Sequence, residues 1–139
     1  MTALIFHIRK FLYKYNRANV FYYNLYKKER GIMFTINGYQ WEIVFCNPNS
    51  NNLRRSDGSR TVGMTDWGDK CVYLSNMLQG GFLRKVLAHE LCHCFCFSYN
   101  ISMSIEEEEF MADWVATYGT DLVYLLDNLM QTLKKAYIA

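Results

Sequence analysis

No apolar run in this 139-residue sequence is long enough to span a bilayer. No secretory signal is legible either: "TALIFHIRKFL" is broken by His7, Arg9 and Lys10, and no small-residue cleavage site follows. Net charge is nearly absent, since 15 Lys/Arg against 13 Asp/Glu leave +2; the total alone therefore points to no highly charged partner. A disulfide framework is lacking as well. The five cysteines are odd in number, and Cys92, Cys94 and Cys96 sit on one expected helix, where i,i+2 neighbours point to different faces. Free thiols in a reducing cytoplasm are the expectation. Internal repeats and a helix-turn-helix segment are absent too.

What is present fits one folded unit. Half of the residues are apolar and 17% are aromatic, enough for a real core in a chain of this length. Charge is unevenly placed. Residues 1–32 carry seven basic side chains and one acid; residues 33–139 carry eight and twelve. We read 1–32 as a basic, aromatic N-terminal arm and 33–139 as the domain proper. Over residues 3–29, Leu4, Ile8, Phe11, Leu12 and Tyr15 recur at helical spacing. The plain reading of the arm is a surface helix. Its interleaved aromatic and basic residues would also suit nucleic acid or an anionic membrane surface.

"FTINGYQWEIVFC" predicts a β-hairpin turning at Asn37-Gly38. Residues 47–60 are polar and turn-rich, the pattern of a mobile loop. Residues 61–76 read as strand, turn, strand, the second being Cys71, Val72, Tyr73 and Leu74. Helices are expected over residues 82–98, 105–118, where Gly119 would close the helix, and 121–137. Sheet first and helices after is α+β, with a small antiparallel sheet, a motif-bearing helix and two further helices.

The motif is "AHELCH". His89 and His93 lie one helical turn apart on one face, so both imidazoles can reach one tetrahedral ion. Glu90 follows the first histidine, placed to take a proton from a metal-activated water rather than to bind the metal. A catalytic zinc needs a third protein ligand. "EEEEFMADWVA" offers Glu109 first, with Glu108 and Glu106 as alternatives. Asp113, one turn past Glu109, suits a hydrogen bond to the free nitrogen of a ligand histidine. Cys92 and Cys96 also lie at helical spacing from the histidines, but one helix cannot surround an ion; small buried apolar residues is the better reading of them.

"LAHELCH" followed by "EEFMADWVA" resembles the gluzincin metallopeptidases, and among them the compact ImmA/IrrE type of phages and mobile elements. The resemblance implies one Zn2+ per chain on His89, His93 and Glu109, with Glu90 as general base. It implies that Cys71, Val72, Tyr73 and Leu74 form an edge strand along which an extended peptide lies. The implied activity is endopeptidase action on a protein substrate, such as a regulatory or repressor protein of a mobile element. A zinc-stabilised module that grips a protein without cutting it is the alternative.

Overall fold

The structure is a computed structural model. It describes residues 26–28 and 31–138, with the backbone alone for 26–28, 137 and 138. Five strands form one sheet: β1 (Tyr26–Lys28), β2 (Gly31–Ile36), β3 (Tyr39–Cys46), β4 (Gly63–Asp66) and β5 (Cys71–Ser75). Two helices follow, α1 (Gly80–Ser98) and α2 (Ile105–Ile138). The class is α+β, as the sequence predicts.

The β2–β3 hairpin turns where expected, with Asn37 and Gly38 both at positive φ, 48° and 83°. Those angles give the turn the twist of its strands. Asn37 Nδ2 donates to the Ser98 carbonyl at 2.7 Å, and Trp41 Nε1 donates to Ser98 Oγ at 2.9 Å. The hairpin is thereby tied to the end of α1. Trp41 is completely buried among Phe34, Ile36, Val72, Leu74 and Cys94. This is the core between sheet and α1, and each such large apolar side chain contributes on the order of 1.5–3 kcal/mol.

Five expectations need correction. The sheet is mixed, not antiparallel throughout: β3 and β5 run parallel. The segment between them crosses over and lays down β4 before β5 returns beside β3. The strand order is β1-β2-β3-β5-β4, so Cys71, Val72, Tyr73 and Leu74 lie in an interior strand. Val72 and Leu74 point to the face of the sheet that the following helix covers and have no exposed surface. The edge beside the helices is β4. The 47–60 stretch is anchored: a 3-10 turn at Asn51–Leu53 buries Leu53 completely, and Arg54 bridges to Arg60.

The remaining two corrections concern helices. Residues 105–138 form one helix of 34 residues, not two. Gly119 keeps helical geometry; removing its side chain costs about 1 kcal/mol, too little to stop a helix that packing sustains. At the other end, the helix expected over 3–29 falls mostly outside the described residues. Its end is instead β1, antiparallel to β2, and the boundary drawn after residue 32 runs through β2. Among the described residues no helix is long and apolar enough to cross a membrane.

α1 and α2 are antiparallel neighbours. Arg84 near the start of α1 donates to Thr120 Oγ1 at 2.9 Å, while His93 near its end meets Glu108. Between them, Cys92 and Cys96 pack on Ala112, which is fully buried. Cys94 points the other way, into the sheet-side core. The three cysteines are thus packing residues on two faces of one helix, as their i,i+2 spacing predicts.

Candidate metal centre

Helical spacing brings His89 and His93 together, and the antiparallel packing of α2 brings carboxylates to them. The two Nε2 atoms are 3.1 Å apart. Glu109 places Oε2 at 3.2 Å from His89 Nε2 and Oε1 at 3.3 Å from His93 Nε2. Together His89, His93 and Glu109 form a group that could hold a metal ion. No cysteine belongs to it, and neither does Glu106.

The other ring nitrogens are held from α2. His89 Nδ1 is 2.9 Å from Asp113 Oδ1, and His93 Nδ1 is 2.6 Å from Glu108 Oε1. A carboxylate only accepts, so each Nδ1 carries the hydrogen and donates it. In the neutral rings both Nε2 atoms then present lone pairs, to each other and to the Glu109 oxygens. Three electron-pair donors converge with no hydrogen between them. A cation satisfies that arrangement, so the residues fit a metal ion on their own chemistry.

Asp113 stands where the sequence places it. Glu108 takes a role the sequence left to a fallback ligand: it supports His93 from a buried position. The signal was the pair of turns. On antiparallel helices, if His89 meets Asp113, His93 one turn later meets a residue about one turn earlier. Glu109 is turned to the Nε2 side, so the neighbouring Glu108 is what remains.

Glu90 is buried and lies against β4. Thr65 Oγ1 donates to Glu90 Oε2 at 2.6 Å and lies 3.2 Å from the Glu90 carbonyl. A side chain at Gly63 would stand 2.9 Å from Glu90 Oε1 and 2.7 Å from Val86 Cγ1. Glycine at 63 is what lets the edge strand approach α1 and clasp this carboxylate. Neither Gly63 nor Thr65 was singled out from the sequence.

These groups share a cleft of about 450 Å³. Its walls include His89, His93, Glu109 and Glu90, with the β4 residues Gly63, Met64 and Thr65 opposite. Phe82, Ile105 and Trp67 add exposed apolar surface at its margins. No protein-family model, curated protein or solved structure matches this chain.

Proposed function

We propose that this chain is a zinc-dependent endopeptidase acting on a protein substrate, a compact gluzincin similar to the ImmA/IrrE type. One observation carries the reading: the two Nε2 atoms lie 3.1 Å apart, and Glu109 brings one carboxylate oxygen to 3.2 Å from the first and the other oxygen to 3.3 Å from the second. Vertices of a tetrahedron with bonds of about 2.0 Å lie about 3.3 Å apart, the spacing zinc asks of two imidazoles and a carboxylate. The group has three protein members and faces a cleft, which supports a catalytic zinc over a closed structural one.

When bound, zinc supplies Lewis acidity towards a water and a scissile carbonyl. Glu90 then takes the proton from the attacking water and passes it to the leaving amine. Thr65 holds the Glu90 carboxylate in one orientation for that transfer. Asp113 and Glu108 keep the two histidines in the ligating tautomer. β4 has a strand on one side only among the described residues, so an extended peptide can pair along its outer edge and bring a carbonyl into the cleft. The resemblance in sequence adds the substrate class, a regulatory protein such as a repressor of a mobile element, met in the cytoplasm.

A module that binds without cutting would be favoured by a fourth protein ligand. The group contains none among the described residues. Nucleic-acid or membrane contact through the basic arm concerns a segment that lies, apart from its last strand residues, outside the described residues.

The test is zinc per chain by elemental analysis, on wild type, Glu109→Gln and Glu90→Gln, beside cleavage of denatured casein followed by mass spectrometry. One zinc in wild type and Glu90→Gln, little in Glu109→Gln, and cleavage by wild type only is the expected pattern. Absence of zinc from wild type purified without chelator sinks the proposal. Zinc with no cleavage, together with tight capture of an intact protein, moves the reading to the binding module.

A further inference from the structure

Charge is unevenly spread along the cleft. Four acids line it, and each has a partner: Glu109 and Asp113 lie against His89, Glu108 against His93, and Glu90 accepts from Thr65. Two bases line it as well, Arg55 and Lys85, both exposed. Among the described residues, neither basic side chain has a hydrogen-bond or ion-pair partner. Asp57 senses the Arg55 charge, but its main partner is Ser59, whose N–H it accepts at 2.8 Å. The acids of the cleft are engaged; its bases are free to receive a ligand.

Both bases stand towards one end. β4 runs alongside α1 in the same direction: Gly63 approaches Val86 and Glu90, Thr65 meets Glu90, and Trp67, just past the strand, packs on Phe97. The end before Gly63 is therefore the Lys85 end. Lys85 precedes His89 by one turn on the same helix face, about 6 Å along the axis. Arg55 comes from the chain leading into β4. Its N–H donates to the Ser59 carbonyl at 2.8 Å, and the Thr61 N–H donates to the Leu53 carbonyl at 2.9 Å, a tight hairpin ahead of Gly63. An anion at this end meets positive charge from two walls, away from the carboxylates around the histidines. An extended peptide advances about 3.3 Å per residue, so the step from His89 to Lys85 spans about two residues, and side chains two apart share a face. On the peptidase reading of the cleft, we propose that Arg55 and Lys85 select an acidic side chain, Asp or Glu, two residues from the bond to be cut.

Digestion of a fully randomised octapeptide library by the full-length protein, with the cuts read by mass spectrometry, tests this. Asp and Glu are expected to be enriched roughly two- to thirtyfold at that one position, and the enrichment shrinks as salt is raised. Lys85→Glu with Arg55→Glu turns the preference to Lys and Arg. Zinc content stays unchanged in that variant, because neither side chain belongs to the candidate ligand group. If the double reversal does not fold, Lys85→Gln and Arg55→Gln are read singly, and each removes part of the enrichment. Cutting without an acidic preference, or with one that these variants leave unchanged, overturns the selection and leaves the peptidase standing. Absence of any cutting tells against the peptidase instead. The same library is then retained on immobilised Glu90→Gln protein, with and without the two reversals. Bound peptides rich in Asp and Glu, and no longer so after reversal, uphold the acid-selecting role of the two bases; retention without that bias overturns it.

Discussion

His93 and Glu108 meet at 2.6 Å, Nδ1 to Oε1, with both side chains about nine-tenths buried. His89 and Asp113 make the corresponding contact at 2.9 Å, but Asp113 is 74% exposed. The two supports of the candidate metal centre are alike in chemistry and unlike in surroundings. Water screens one and hardly reaches the other.

The two supports should therefore differ in worth. Glu108→Gln is expected to lower zinc affinity roughly 10- to 100-fold, and Asp113→Asn by less. Competition against a chromogenic chelator ranks them. Equal losses, or a larger one for Asp113→Asn, would contradict the role given to burial.

The clasp on Glu90 predicts two separable effects. Thr65→Val removes the donor with little change of shape, so zinc content is unchanged and turnover falls roughly tenfold or more. Gly63→Ala forces a methyl group against Val86 and Glu90, and is expected to destabilise the fold by about 1–3 kcal/mol. Thermal melts of both variants, read beside zinc content and rate, separate the chemical effect from the steric one. A Gly63→Ala protein with an unchanged melting temperature would mean that β4 does not approach α1 this closely.

Gly119 tests whether α2 is one helix. An alanine there would meet Val115 Cγ1 at 3.3 Å, and Val115 is exposed enough to give way. Gly119→Ala is expected to stabilise the protein by up to about 1 kcal/mol through helix propensity. Were Gly119 a left-handed helix stop, the same change would destabilise; chemical denaturation gives the sign.

The thiols supply a pH prediction. Burial pushes Cys71 up from about 9 to about 11 and raises Cys94 as well. Cys96 is raised by its hydrogen bond with Cys92 and then by burial. The folded state holds these protons more tightly than the unfolded chain. As pH rises past 9 the unfolded chain deprotonates first, so stability falls from about pH 9 upward, through about 11 for Cys71 and beyond it for Cys94 and Cys96. At neutral pH only half-buried Cys46 should react quickly with a disulfide reagent; denaturation should expose all five thiols. Fast reaction of Cys92 or Cys96 in the native protein would contradict their packing on Ala112.

The clustering of the candidate metal-centre residues was more legible than the fold around them, for a physical reason. Spacing along a helix is local: the pairing of His89 with His93 on one face, and of Glu109 with Asp113 on another, follows from the turn alone. The hairpin at Asn37-Gly38 is local too. What the sequence hid depends on distant pairing. β5 reads as a strand from its own residues, but whether it is an edge depends on the crossover after Cys46, which no periodicity records. Thr65 looks like any strand threonine until β4 is laid against α1. Gly119 misled because a stop and a tolerated glycine are the same letter, and only packing on either side tells them apart.

The unbroken passage of α2 through Gly119 fixes a rotational phase. At 100° per residue, the row Leu122, Leu126, Leu129 and Leu133 points roughly 130° around the axis from Glu109. Over about 30 Å of rod, Glu109 and the leucine row therefore look in widely different directions. A partner resting on the leucine row would stand on the side of α2 turned away from Glu109.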